Sequence, residues 1–156
     1  MNAITAGNKW MSRLDGTLSL AQLSIPGTHD SGALFEPIPR TAKCQNRSIA
    51  EQLNTGIRFL DIRCRHVNNT FVIQHGMVNQ NQTFEDVLNT VITFLHNNPS
   101  ECVIMSVKEE YTASGDTRSF EDTFDSYVAK KPGIWYLAST IPRLEQVRLF
   151  SIVRSL

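Results

Sequence analysis

Two histidines beside glycine-containing turns carry the strongest chemical signal in the sequence. His29 lies in residues 26–32 (PGTHDSG), and His75 lies in residues 74–76 (QHG). Near neutral pH one imidazole can accept a proton while a second one donates a proton. The pair could therefore supply the base and the acid of one reaction. A histidine beside a glycine turn is more often a hydrogen-bonded loop residue, so neither histidine is diagnostic alone.

Charged residues near the histidines extend this chemistry to phosphate. Arg63 carries a planar guanidinium that matches a pair of phosphate oxygens, and Lys108 adds a second positive charge. Asp30 can orient an imidazole and stabilise its charged form. Two histidines and an arginine provide a base, an acid and a charge clamp, which is a metal-free set for phosphoryl transfer.

The charged residues also have structural interpretations. Asp61 and Arg63 could simply pair with each other inside a barrel. Lys108 begins a polar stretch that is typical of a solvated strand end. The remaining histidines, His66 and His96, lie beside the polar residues Arg65 and Asn97 and are predicted to lie at the surface.

A metal site is a further alternative. His29, Asp30, Asp61 and His75 are all competent ligands for a divalent ion. The positive charge of Arg63 in the middle of this set would repel such an ion. We therefore predict no metal and no other cofactor.

Strands and helices alternate along the chain and must position these residues. Strands are predicted at residues 20–25, 57–64, 71–74 and 102–107, and residues 142–156 are predicted as a loop leading into a final strand. Helices are predicted at residues 49–55, from the Thr83 cap to the stop at residues 97–99, and after Ser119. This alternation favours a parallel α/β sheet, in which sites form at the carboxyl ends of the strands.

The amino-acid composition limits the classes of protein to which the chain can belong. The chain has 156 residues and 17.6 kDa, with 41% hydrophobic and 19% charged residues, which is typical of a globular domain. Fifteen basic and fifteen acidic residues cancel, so a nucleic-acid partner is not expected. No apolar run is long enough for a transmembrane span. Three cysteines are too few for a disulfide framework, and Cys64 and Cys102 are predicted to be buried thiols.

Four sequence blocks resemble the X domain of bacterial-type phosphatidylinositol-specific phospholipase C. The blocks are residues 24–32 (SIPGTHDSG), 58–65 (RFLDIRCR), 75–76 (HG) and 98–111 (NPSECVIMSVKEEY), and they occur in the family's order. The resemblance extends from about residue 9 to about residue 148. We therefore treat residues 1–156 as one partial X domain.

The resemblance implies a distorted β/α barrel of the TIM type and a metal-independent phosphodiesterase. In such an enzyme His29 would take a proton from the inositol 2-hydroxyl, and His75, with Asp30 as its partner, would protonate the departing diacylglycerol oxygen. Arg63 would hold the phosphate and Lys108 would bind the headgroup. The products would be diacylglycerol and a cyclic inositol phosphate.

The length of the chain and its C-terminal segment leave alternative functions open. A complete barrel of this type needs about 250 residues, so this chain is expected to supply the N-terminal half and to have little activity alone. One alternative is a non-catalytic product that at most binds phosphoinositide headgroups or pairs with another chain. Another is a related metal-dependent phosphodiesterase acting on glycerophosphodiesters or sphingolipids. The expected partner is phosphatidylinositol or its glycosylated form at a membrane surface, and the compartment is left open.

Overall fold

The computed structural model describes residues 7–148 and 152–154, and its longest strand organises the sheet. Strand β2, Phe59–Val67, buries every second side chain, beginning with Leu60 and Ile62. The intervening residues, Asp61 and Arg63 among them, point to the opposite face and are half-buried. This alternation follows from the two-residue period of a strand, and it separates an apolar face from a face able to carry chemistry.

Within the described residues, seven strands form one mixed sheet; six of them follow the order β4-β3-β2-β5-β7-β6, and β1 also pairs with β2. The other strands are β1 (Gly27–Thr28), β3 (Thr70–His75), β4 (Val78–Thr83), β5 (Val103–Glu109), β6 (Trp135–Tyr136) and β7 (Ile152–Arg154). The final strand that was predicted within residues 142–156 is therefore present, after a short helix.

The prediction of a wholly parallel sheet is wrong at β3 and β4. Strand β2 pairs in parallel with β1 and β5, but β3 runs antiparallel to both β2 and β4. Asn68 and Asn69 have φ angles of 50° and 58° and close the β2–β3 connection as a two-residue hairpin turn. Two adjacent asparagines that accept positive φ were the sequence signal for this turn, and β4 was not predicted.

The predicted helix starts are confirmed by reciprocal capping boxes. The helices are α1 (Ile49–Asn54), α2 (Phe84–Asn97), α3 (Phe120–Lys130) and α4 (Leu144–Val147). Side chains of Ser48, Thr83 and Ser119 cap α1, α2 and α3, and each third helical residue bonds back to its cap. The local sequence alone therefore fixed where these three helices begin.

Residues 20–25 do not form the predicted strand. Leu20–Gln22 is a 3₁₀ turn, because Ser19 and Gln22 form their own capping box, and the strand that follows is only Gly27–Thr28. A second 3₁₀ segment, Gly7–Arg13, precedes it with a kink at Lys9. The local cap therefore overrode the apolar pattern.

The core lies between the apolar face of the sheet and helices α1 to α3. Phe71 stacks on Phe120 and Tyr127, and Phe84 packs edge-on against Tyr127. Cys64 and Cys102 are buried free thiols, as predicted. No helix within residues 7–148 and 152–154 is long and apolar enough to cross a membrane.

The prediction that His66 lies at the surface is wrong. His66 follows the buried alternation of β2 and is 2% exposed. Its Nε2 lies 2.8 Å from Thr123 Oγ1 and 3.1 Å from Asp116 Oδ1, so the polar ring is satisfied inside the core. His96, by contrast, is exposed on α2 as predicted.

Candidate active site

Strand β1 delivers His29 to the polar face of β2. Gly27 and Thr28 pair with Phe59 and Leu60, so His29 follows at the level of Asp61. A Cβ atom on Gly27 would lie 2.9 Å from the Phe59 Cβ, so only glycine allows the two strands to approach this closely. His29 itself is 65% exposed and available to a substrate.

Asp30 is the buried centre of the site. Its backbone has a φ of 44°, a left-handed conformation that aspartate tolerates better than most residues, and its side chain is 2% exposed. The Oδ2 atom lies 3.3 Å from His29 Nε2 and 3.4 Å from His75 Nε2. One carboxylate oxygen thus faces both of the histidines that the sequence singled out.

His29 has a second carboxylate neighbour that sequence reasoning did not assign to it. Its Nδ1 lies 3.0 Å from Asp61 Oδ2. Because a carboxylate only accepts hydrogen bonds, this contact favours a proton on Nδ1, while Nε2 lies at the longer distance of 3.3 Å from the second carboxylate, that of Asp30. Asp61 was interpreted as a partner of Arg63 or a metal ligand, and the expected partner of the base was not assigned to any residue of this chain.

Arg63 lies between the two aspartates. Its Nε is 3.5 Å from Asp30 Oδ1 and 3.4 Å from Asp61 Oδ2, and its Nη1 is 3.4 Å from Glu110 Oε2. Asp61 therefore pairs with Arg63, as one interpretation of the sequence predicted, and both residues also belong to the candidate site. These distances are long for charge-assisted bonds, so the guanidinium retains donor capacity for another anion.

His75 reaches the site by a hairpin and not from the carboxyl end of a parallel strand. It is the last residue of antiparallel β3, followed by Gly76 at the first position of a two-residue turn with a φ of 53°. The Gly76 backbone N–H donates to Glu110 Oε1 at 3.0 Å. Glu110 therefore joins this turn to Arg63, a role that its place in a polar sequence stretch did not reveal.

Lys108 is set apart from this cluster. On β5 it is in register with Arg63, and paired residues of neighbouring strands share a face of the sheet. Its side chain is exposed, and no hydrogen bond or ion pair links it to the histidines or aspartates of the site among the described residues. The structure brings the other four predicted site residues together and leaves Lys108 on the same face beside them.

Buried polar residues hold the His29 loop against β2. The Asp61 N–H donates to Ser31 Oγ at 2.9 Å, and the Ser31 N–H donates to the Asp61 carbonyl at 2.8 Å. Gln52 on α1 accepts from the Thr28 hydroxyl and donates to the Ser31 carbonyl. Gln52 is 2% exposed, and nothing in its helix-forming sequence context indicated this role.

Burial and neighbouring charges shift the pKa values of Asp30 and Arg63 in opposite directions. Burial raises the pKa of Asp30 above its ordinary value, although Arg63 and both histidines oppose the shift. Burial of Arg63 disfavours its charged form, but the carboxylates of Asp30, Asp61 and Glu110 outweigh this effect and raise its pKa. Arg63 is therefore a permanent cation, and Asp30 is a desolvated carboxylate beside two groups able to carry protons.

The fold and the site define half of a β/α barrel that presents two histidines, two aspartates and an arginine on its inner face. The family model for the X domain of phosphatidylinositol-specific phospholipase C matches residues 25–154, so the chain belongs to this family. The prediction of the family from four sequence blocks is confirmed.

Curated relatives and a solved structure support this membership. The 1-phosphatidylinositol phosphodiesterase of Staphylococcus aureus is 33% identical over a match of length 148, and the match covers 89% of this chain and 47% of that protein. The enzyme of the same name from Listeria monocytogenes is 36% identical, over 94% of this chain and 48% of that protein. A structure of the Staphylococcus aureus phosphatidylinositol-specific phospholipase C superposes with a TM-score of 0.86 at 32% identity, covering 96% of this chain and 52% of that one.

The chain thus spans about half the length of the relatives it matches. Its curved sheet corresponds to about half of the TIM barrel in the structural relative, which confirms the predicted fold class.

Proposed function

We propose that this chain carries the acid–base half of a phosphodiesterase site that cleaves phosphatidylinositol to diacylglycerol and a cyclic inositol phosphate. One observation supports the proposal. The two imidazoles flank one oxygen of the buried Asp30 carboxylate, and the Arg63 guanidinium lies beside the other oxygen of that carboxylate. The relatives at 33% and 36% identity are named 1-phosphatidylinositol phosphodiesterases, which supports the substrate class.

His29 is suited to the role of general base. The Asp61 carboxylate at Nδ1 and the Asp30 carboxylate at Nε2 both attract the positive charge that the ring gains with a proton. In the proposed reaction Nε2 removes the proton from the inositol 2-hydroxyl as that oxygen attacks phosphorus. Because nucleophile and phosphate belong to one substrate molecule, the attack is intramolecular and closes the ring.

His75 is suited to the role of general acid. Asp30 Oδ2 lies 3.4 Å from its Nε2, and in the proposed reaction the protonated ring transfers its proton to the departing diacylglycerol oxygen. Arg63 neutralises the negative charge that grows on the phosphoryl oxygens in the transition state. Lys108, on the same face of the sheet, adds positive charge for the anionic headgroup.

The experiment is hydrolysis of phosphatidylinositol in vesicles by the protein, with ³¹P NMR of the released headgroup and with a chelator present or absent. We expect a cyclic inositol phosphate as the first product, undiminished turnover with chelator, and a loss of at least about 100-fold in turnover for His29→Ala and for His75→Ala, since each removes one proton-transfer group. His96→Ala, on the outer surface of α2, is the matched control and should retain full turnover.

Several outcomes would contradict the proposal. Chelator-sensitive cleavage of a lipid without inositol would favour a metal-dependent phosphodiesterase. Binding of inositol phosphate with no turnover would favour a non-catalytic headgroup-binding chain. A glycosylated phosphatidylinositol presents the same phosphodiester, so a parallel assay with a glycosyl-phosphatidylinositol substrate determines whether it is also cleaved.

A further inference from the structure

A cysteine to which the proposed reaction gives no role lies against the two-histidine cluster. Cys44 is exposed, and its Sγ is 4.0 Å from His75 Nε2. The Cys44 backbone N–H donates to the Ala33 carbonyl at 2.9 Å, which attaches its loop to the segment that follows Asp30. The thiol is therefore held at the entrance of the site by the fold.

The spacing of three donor atoms, from His29, Asp30 and Cys44, matches part of a tetrahedral metal site, and a fourth donor atom, His75 Nε2, lies near two of them. Asp30 Oδ2 lies 3.3 Å from His29 Nε2 and 3.4 Å from His75 Nε2, and Cys44 Sγ completes the group. Ligand atoms from His29, Asp30 and Cys44 all lie within 4.8 Å of one another. With zinc–nitrogen and zinc–oxygen bonds of about 2.1 Å, tetrahedral ligand atoms are about 3.4 Å apart, and a sulfur atom lies slightly farther away.

Two independent features point to a ligand at this position. The Asp30 side chain is 98% buried, and its Oδ2 accepts no hydrogen bond in the part of the chain that the structure describes, although the Nε2 atoms of His29 and His75 lie 3.3 and 3.4 Å away. His29 presents its other nitrogen, Nδ1, to Asp61 at 3.0 Å, which is the outer-shell arrangement common to metal-binding histidines. A buried acceptor without a hydrogen bond thus faces a pre-oriented imidazole.

The positive charge of Arg63 does not exclude a cation here. Its Nε faces the other oxygen of Asp30, Oδ1, and its charge is shared with Asp61 and Glu110. The three carboxylates of Asp30, Asp61 and Glu110 outweigh one guanidinium, so the local charge favours a divalent ion. The mixed nitrogen, oxygen and sulfur set suits zinc better than calcium or magnesium, which prefer oxygen ligands alone.

We propose that His29, Asp30, Cys44 and His75 form a binding site for Zn²⁺ that switches off proton transfer at the two imidazoles. The ion would bind the Nε2 atoms of both histidines, and the Cys44 thiol and the protonated His75 ring would each release a proton to water as they coordinate. The inhibitory consequence rests on the proposed function, whereas the binding of zinc does not.

The test is titration of the purified protein with Zn²⁺ by calorimetry and with Co²⁺ by absorption spectroscopy. We expect one tight equivalent and a thiolate-to-Co²⁺ charge-transfer band. Cys44→Ser should abolish the band and weaken zinc binding by at least about 100-fold, because loss of a direct ligand should exceed the 10–100-fold effect of outer-shell changes. His75→Gln should weaken binding similarly, and His96→Gln is the control with unchanged affinity.

The result that overturns the site is absence of zinc binding, or equal affinity in the wild-type and Cys44→Ser proteins. Circular dichroism of each variant without metal separates loss of a ligand from loss of the fold. Zinc binding that requires Cys44 would stand even if the protein cleaved no phosphatidylinositol, so failure of the proposed function is distinguishable. In an active preparation, added zinc should stop turnover and a chelator should restore it.

Discussion

A buried ion pair at the end of the sheet opposite the candidate site should dominate the stability of the fold. Arg58 and Glu101 are both 0% exposed, and Glu101 Oε2 accepts from Arg58 Nε at 3.0 Å and from Nη2 at 2.9 Å. The same guanidinium donates to the carbonyls of Leu53, Ile57 and Gly7. One side chain thus joins the N-terminal 3₁₀ segment, α1 and the start of β2.

The perturbation is Glu101→Gln, which keeps the size of the side chain and removes its charge. Burial already lowers the pKa of Arg58 and Glu101 opposes this shift, so the variant leaves a desolvated cation without its counter-ion. Removing one partner of a buried pair costs about 3–5 kcal/mol. At about 2–4 °C per kcal/mol for a chain of this size, the melting temperature should fall by about 6–20 °C.

The assay is urea unfolding followed by circular dichroism, with Glu109→Gln as the matched control. Glu109 is an exposed residue of β5, and its neutralisation should change the free energy of unfolding by less than about 0.5 kcal/mol. A second check is the double variant Arg58→Met with Glu101→Gln, whose cost should be below the sum of the single costs. A loss under about 1 kcal/mol for Glu101→Gln, or strict additivity, would refute this reasoning.

Two further predictions concern the site and the longest helix. Arg63→Lys keeps the positive charge but loses the planar fork, so the catalytic efficiency on phosphatidylinositol should fall by about 100-fold or more, with an unchanged melting temperature, and full activity would show that a point charge suffices. At α2, hydrogen bonds from Thr83 lower the pKa of Asp86, so the carboxylate stabilises the fold above the ordinary carboxyl pKa and this contribution disappears as pH falls through the lowered value. Asp86→Asn should therefore destabilise the protein at pH 7 but not in strong acid, as urea unfolding at several pH values would measure. Asp125→Asn, an exposed substitution within α3, is the control, and an Asp86 effect independent of pH would contradict the assignment.

The helix starts were predictable from sequence because their signals are local. Each capping box lies within four consecutive residues, such as Ser48 to Glu51, and needs no tertiary contact to form. The direction of β3 was also encoded locally, by Asn68 and Asn69, but an apolar strand pattern carries no information on direction. The error at residues 20–25 has the same origin, because an apolar run does not separate a strand from a buried turn.

The residues of the candidate site were predictable, but most of their partners were not. His29, Asp30, Arg63 and His75 were identified from residue type and from the family blocks, and the structure brings them into one cluster. The contact of His29 with Asp61, the bridge through Glu110 and the position of Gln52 depend on pairs that lie more than 20 residues apart in sequence. Residue type does not specify such contacts until the strand register is known.

The same two strands carry both the buried ion pair and the candidate site. Arg58 and Glu101 precede β2 and β5, while Arg63 in the middle of β2 is paired in register with Lys108 near the carboxyl end of β5. Arg63 comes five positions after Arg58, which corresponds to about 16 Å along an extended strand. Six parallel pairs, from Phe59 with Ile104 to Cys64 with Glu109, hold β2 and β5 in register over this distance. Because the two strands are held in register, the buried ion pair at their start can stabilise the sheet. The residues farther along the strands can then carry charged groups whose burial would otherwise oppose folding.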